Sequence, residues 1–462
     1  MKKLFSTFAQ GMLFMALALV LTGCDELLYL KDNPVTPRLN VRSNSITLKV
    51  GATASCEAST QDHVALFYAS ADPAVATVDA KGTITGVAVG KTKITVTAKG
   101  DDDYYRTQIF GESTQVIDVE VVPSKVDVES IKLDQTTLNK EVGDAAVTLT
   151  VTFDPAEPTD KTVTWKSSDE SVATVADGVV TFVAAGTATI TATATNGTSD
   201  TSDDKTADCT VKVMKNLANL TADYIAKNGD ILTGTLAGNY KISIKAGATV
   251  TLYNVTINGS NNNIYQWAGI NPEGDATIIL EGANTVKGFW RNYPGIHSAV
   301  GHTLTIKGTG SLNASSNGWG AGIGGGKGVS CGNIVIQSGT IVATGGINGA
   351  GIGSGKNDGG SDCGDITISG GTITATGGNN AAGIGIANGT CGNIEITAGV
   401  TSVTATYGGE GFTSIKVSTG KTIKFGSVTV YDGATWNPAA MVSGNYGGLN
   451  LTVSSKTWTL VP

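Results

Sequence analysis

The amino-acid sequence predicts an all-β protein in which two small β-sandwiches precede a right-handed parallel β-helix. Three observations lead there. First, a segment ending in Gly-Ile returns five times in the second half: Ala268-Gly269-Ile270, Pro294-Gly295-Ile296, Ala321-Gly322-Ile323, Ala350-Gly351-Ile352 and Ala382-Gly383-Ile384. Their isoleucines stand 26, 27, 29 and 32 residues apart, the period of coil stacked on coil. Second, a stretch of short runs alternating apolar and polar residues occurs twice near the N-terminus, with Val75 and Val172 in equivalent places. Third, most of the 61 glycines fall after Leu220, and no window of the 462 residues reads as a long amphipathic helix.

The chain starts with a processing signal. Lys2 and Lys3 precede an apolar run over residues 12–21, which is too short to span a bilayer comfortably. Leu21-Thr22-Gly23-Cys24 follows and resembles the lipobox of bacterial lipoproteins. That resemblance implies cleavage before Cys24 and lipid on its thiol, making 1–24 a signal peptide and 25–38 a linker. Asp25 and Glu26 are similar to the acidic signal that, in one large group of Gram-negative anaerobes, takes lipoproteins to the outer face of the outer membrane. An outer-membrane lipoprotein exposed at the cell surface is therefore expected, touching membrane only through its lipid.

Composition narrows the partners. Charged residues are 15% of the chain and the formal net charge is -8, which excludes the basic face that nucleic acid requires. Glycine without a triplet period excludes collagen. Five cysteines remain besides Cys24, and none lies in a CxxC or Cys/His cluster. Cys56 and Cys209 fall in different sandwiches and are expected as buried free thiols. The odd count leaves at least one thiol unpaired in any case.

Residues 39–123 and 127–213 form the two sandwiches. Ser45-Ile46-Thr47-Leu48-Lys49-Val50 and Lys93-Ile94-Thr95-Val96-Thr97 read as half-buried strands. Val75-Ala76-Thr77-Val78 recurs as Val172-Ala173-Thr174-Val175. In each copy a Gly-rich run follows, reaching Gly90 in the first and Gly186 in the second. This run resembles bacterial immunoglobulin-like domains of group 2. The resemblance implies a stalk or spacer at the cell surface, of the kind found in adhesins and polysaccharide-binding or degrading proteins, and implies no chemistry. Trp165 is expected in the core. The acidic stretches at Asp101-Asp102-Asp103 and at residues 199–204 are expected as solvated turns.

Residues 220–462 form the β-helix, expected to be the binding domain. In the coil from Cys363 to Gly378, Ile366 and Ile368 point inward, and after a Gly-Gly corner Ile373 and Ala375 do the same. Ile306, Ile336, Ile368 and Ile396 are expected to stack as an internal ladder. Cys331, Cys363 and Cys391 take one equivalent corner in three coils and are expected as an inward stack without disulfides. Asn333, Asp365 and Asn393 beside them are expected as a turn ladder. Trp436 and Trp458 are expected to cap the far end, with a closing strand at residues 449–453. The coils resemble the β-helix modules of secreted bacterial carbohydrate-binding proteins and of adhesins. Among the former, that resemblance includes some that bind acidic polysaccharide with calcium.

The candidate ligand residues are aromatic. Trp267 and Tyr293 lie three residues before Ile270 and Ile296, Trp319 lies four before Ile323, and Tyr265 and Trp290 are close by. If the Gly-Ile segments stack, these rings gather near one edge, where they suit the apolar faces of sugars. The same rings can instead serve as loop covers packed over the coil. Asp358 and Asp362 flank a Gly-Gly pair and are the candidate calcium ligands; no other cofactor is expected. The remaining carboxylates, Glu273, Asp275, Asp365 and Glu395, are scattered, and Arg291 with His297 and His302 is the one basic cluster along the chain. No acid-base pair emerges, so a polysaccharide lyase or hydrolase ranks behind two other readings. Those are a lipid-anchored binder of extracellular polysaccharide or glycan, and a protein-directed adhesin or structural surface protein.

Overall fold

The computed structural model describes residues 34–61, 64–100, 110–356, 361–387, 389–409, 414–431 and 441–462. The expected signal peptide with Cys24, the Asp101-Asp102-Asp103 stretch, Asp358 and Trp436 lie outside the described residues. Two compact units result, Met1–Asp127 and Val128–Pro462. The described residues are all-β, apart from a single 3-10 turn at Leu217–Asn219.

The first unit is a β-sandwich. One sheet orders Ser45–Lys49, Glu112–Val122, Gly90–Gly100 and Val64–Ser70, antiparallel except for the parallel first pair. Thr53–Ser55, Thr83–Gly86 and Ala76–Val78 make a facing three-stranded sheet. Period-two alternation sends Ile94, Val96, Ile117 and Val119 inward with Ile84 and Cys56. The sandwich that opens the second unit repeats this plan with Thr137–Glu141, Lys205–Asn216, Gly186–Ala194 and Val163–Ser167. Trp165 packs half-buried against its core, and Cys209 is buried and free.

The repeated motif has a local cause. Asp72 and Asp169 each accept a backbone N–H two residues on, and Ser70 and Ser167 each donate to a carbonyl six residues on. The turn so formed sets Val75 and Val172 against Gly90 and Gly186. Gly186 has φ +148°, and a Cβ there would lie 2.6 Å from Val172 Cγ2.

The strand Lys205–Asn216 leaves the second sandwich and pairs in parallel with Ile231–Thr235, the first strand of the solenoid's long sheet. Lys212 bonds Glu281 at 3.0 Å, and Asn216 donates to Glu141. The sandwich thus covers the edge that the first coil would leave open.

About six turns follow. One parallel ladder runs Thr249–Asn258, Ala276–Glu281, Thr303–Gly308, Asn333–Ile336, Ile366–Ile368, Ile394–Ile396 and Ile423–Phe425. A second runs through Ala283–Lys287, Ser311–Ser315, Thr340–Thr344, Gly371–Thr376 and Val400–Thr406. The short Gly-Ile segments make the third, Ile296, Ile323, Ile352, Ile384 and Ile415 in register, with Ile270 bridged to Ile296. Ile415 is a rung that the sequence motif does not reveal, because Ser414 stands where the others carry glycine.

Ile306, Ile336, Ile368 and Ile396 are direct register partners and fully buried. Ile373 and Ala375 point inward too. Cys331, Cys363 and Cys391 are buried and free, and Cys363 bridges in parallel to Cys391. Hydrogen bonding to its two neighbours and burial push the Cys363 thiol far above its ordinary pKa.

Asn333 and its equivalents form a ladder, but between coils rather than within a turn. Asp365 N–H donates to Asn333 Oδ1 at 2.9 Å, Asn393 N–H to Asp365 Oδ1 at 2.7 Å, and Thr422 N–H to Asn393 Oδ1 at 3.0 Å. At the far end Thr457–Val461 pairs antiparallel with Val400–Thr406 and with Leu449–Ser454, and Trp458 is fully buried. The antiparallel strands end the parallel growth.

Candidate functional site

The five aromatic candidates divide into two groups. Tyr265 and Trp267 turn onto the coil: their rings lie 5.4 Å apart edge-on, and Trp267 is 5.8 Å from buried Phe289. Both pack against the solenoid core, and the Trp267 indole N–H is buried without a hydrogen-bond partner. These two are loop covers in geometry. Tyr293 is half-buried, and that burial raises its phenol pKa. Trp290 and Trp319, also half-buried, meet cations instead.

Arg291 Cζ lies 5.2 Å from the Trp290 ring centre and 3.8 Å from that of Trp319. Lys327 Nζ lies over Trp319 at 4.3 Å and Lys356 Nζ at 5.3 Å. Each such contact is worth about 0.5–1 kcal/mol at an exposed site. Three cations from three successive coils therefore converge on one indole.

Backbone bonds between coils fix this arrangement. Trp319 N–H donates to the Arg291 carbonyl, Lys356 N–H to the Trp319 carbonyl at 2.8 Å, and Lys327 N–H to the Asn292 carbonyl at 2.6 Å. The loop carrying Trp319 is tied by Ser316, whose hydroxyl donates to Tyr293 O at 2.9 Å and accepts from Gly320 N–H at 3.1 Å. Asn317 Nδ2 donates to Gly288 O at 2.6 Å. Fully buried Ser361 accepts from Gly328 N–H at 2.9 Å and lies 2.6 Å from the Lys356 carbonyl, joining the two lysine loops. Asn292 Oδ1 is buried with no hydrogen-bond donor.

The basic residues that stand together along the chain separate in space. His297 is half-buried with Nε2 3.0 Å from the Ser330 carbonyl, so Nε2 carries the proton, and desolvation lowers its pKa. His302 Nδ1 faces Asp275 at 3.6 Å. Arg291 instead joins Lys327 and Lys356, which the sequence reading passed over. Their signal was present: Gly-Ile-Gly-Gly-Gly-Lys at 322–327 and Gly-Ile-Gly-Ser-Gly-Lys at 351–356 put both lysines four residues after a ladder isoleucine.

The acidic candidates have structural partners. Asp275 accepts from Thr303 N–H at 2.7 Å, Asp365 belongs to the inter-coil ladder, and Asp362 accepts from the Thr390 hydroxyl. Asp362 is exposed, and its expected calcium partner Asp358 lies outside the described residues. Among the described residues no three His, Cys, Asp or Glu side chains are grouped to hold a metal ion.

The model of the bacterial Ig-like domain (group 2) matches residues 35–107 and 127–204. No curated protein matches the chain. Among solved structures, human protocadherin-24 EC1-2 is similar at 13% identity, covering 39% of this chain and 99% of that one, with a TM-score of 0.24. Mouse cadherin-23 EC22-24 is similar at 14% identity, covering 39% of this chain and 65% of that one, also at 0.24. Domains 4 and 5 of the S-layer protein SbsC are similar at 20% identity, covering 38% of this chain and 96% of that one, at 0.19. The chain joins two bacterial Ig-like domains of group 2 to a C-terminal parallel β-solenoid.

Proposed function

We propose that this is a cell-surface protein, lipid-anchored at Cys24 in the outer membrane, whose solenoid binds extracellular polysaccharide or glycan. The two Ig-like domains act as spacers and the solenoid as the binding head. The observation that carries this reading is the gathering of Trp290, Arg291 and Trp319 on one edge of neighbouring coils, with the Tyr293 carbonyl tied to the Trp319 loop. Half-buried rings and fixed polar groups on a rigid scaffold are what sugar recognition requires. Screening the full chain on a panel of polysaccharides tests it: retention should occur and should be lost in the combined variant Trp290→Ala, Tyr293→Ala and Trp319→Ala. Absence of retention on every polymer would sink the reading. Anchoring is tested separately by Cys24→Ser, which should move the chain from the membrane fraction to the soluble one.

A further inference from the structure

We infer that the first sandwich pairs with a second copy of this chain through the open edge of its strand Val64–Ser70. The inference is independent of the glycan reading. Val64–Ser70 ends its four-stranded sheet, with Gly90–Gly100 as its one strand partner among the described residues. Ala71 N–H donates to the Lys93 carbonyl. By antiparallel alternation, Ala65, Phe67 and Ala69 therefore turn their backbone groups toward Gly90–Gly100. Val64, Leu66, Tyr68 and Ser70 aim theirs at the open side, and among the described residues no hydrogen bond meets these backbone groups there. Such a row of donors and acceptors is a template for one more strand.

The sequence of the strand points to its own copy as that strand. Val64-Ala65-Leu66-Phe67-Tyr68-Ala69-Ser70 carries none of the charge, proline or bulge that blunts an edge. In the second sandwich the equivalent strand Val163–Ser167 has 5 residues and exposes Lys166. Turned about a two-fold axis at Phe67, the first strand matches itself: Leu66 meets Tyr68 of the second copy, Ala65 meets Ala69, and Phe67 meets Phe67. Phe67 is 55% exposed, and Leu66 and Tyr68 are only half-buried although they point inward, so all three lose water in the pair. The outward rows behind the seam are compatible too. Thr97 and Thr114 stand behind Phe67, and Thr95 and Val116 behind Ala69. Lys99 lies behind Ala65 and is paired with Glu112. No like charges are therefore opposed across the axis. The 7 residues span about 24 Å, a seam at the small end of specific interfaces, so a reversible dimer of roughly micromolar strength is expected.

The test is sedimentation equilibrium of the full chain over a concentration series, with cysteine cross-linking to fix the register. All chains carry Cys24→Ser, so neither lipid nor that thiol contributes. Expected is a monomer–dimer equilibrium, weakened about ten-fold or more by Phe67→Lys, which sets two like charges face to face at the axis. Phe67 is exposed, so the thermal midpoint should be unchanged; should Phe67→Lys not fold, Phe67→Ser takes its place and should also weaken the dimer. Phe67→Cys should give a disulfide-linked dimer under mild oxidation, because that pair is not hydrogen-bonded and its Cα atoms lie about 4.5 Å apart. Ala65→Cys, which faces Ala69 rather than itself, should not. A chain that stays monomeric at about 0.5 mM would overturn the inference and leave the edge to an extended segment of another protein. Undiminished dimerisation of the folded Phe67 variant, or equal cross-linking at positions 65 and 67, would overturn it as well.

Discussion

Arg291 lies 3.8 Å from the ring centre of Trp319, and the Trp319 N–H donates to the Arg291 carbonyl. The same two residues are thus joined through the backbone and through the side chains. The indole acts as the seat for the cations, so its removal should disturb all three. Trp319→Ala is expected to weaken binding of a retained glycan more than Arg291→Gln does, and Trp319→Phe should restore part of the loss. Titration of the three variants with one oligosaccharide checks the order.

The internal ladder makes a stability prediction. Ile368 is fully buried between Ile336 and Ile396 in neighbouring coils. Ile368→Ala should cost about 2–5 kcal/mol, because the rigid coils on both sides cannot close the gap. Val342 is 39% exposed on the outer face, and Val342→Ala should change stability by less than about 0.5 kcal/mol. Denaturant midpoints of the two variants measure the contrast.

Gly186 tests the sandwich motif. Gly186→Ala adds a Cβ 2.6 Å from Val172 Cγ2 at φ +148° and should destabilise by about 1–3 kcal/mol. Gly143 has φ +89° with nothing within 4 Å of an added Cβ, so Gly143→Ala should cost only the backbone strain, about 1 kcal/mol. The difference in denaturation midpoint isolates the clash with Val172.

His297 gives the solenoid a pH dependence. Burial lowers its folded-state pKa below the ordinary 6.5, so the unfolded chain takes up a proton that the folded chain refuses. The stability is fully present above about 6.5 and is lost as pH falls toward the lower, folded-state pKa. Thermal midpoints measured from neutral to acid pH should show this slope, and His297→Gln should reduce it.

The buried thiols predict chemistry that does not occur in the native state. Cys56, Cys209, Cys331, Cys363 and Cys391 are buried and free, and the pKa of Cys363 is pushed well up. Alkylation followed by mass spectrometry should leave all five unmodified until denaturant is added.

Much of this architecture is written in local periodicity. The Gly-Ile rungs, the isoleucine ladder and the cysteine corner each depend on one residue type returning once per coil. Ile415 escapes the motif because Ser414 replaces glycine while the register persists. The cation cluster was harder to read for a different reason. Lys327 and Lys356 look like isolated solvated charges, and Arg291 stands in sequence among histidines. Only the stacking of coils places all three over Trp319. Tyr265 and Trp267 show the converse: their spacing matches that of the other rings, yet Phe289 supplies an apolar seat that turns them onto the core.

The most direct measurement is amide hydrogen exchange of the full chain with and without a saturating oligosaccharide of a polymer that retains it. The account predicts new protection at residues 290–293, 317–328 and 354–356, with the two Ig-like domains unchanged. Protection confined to the sandwiches or to other coils, with these three segments unaffected, would contradict it.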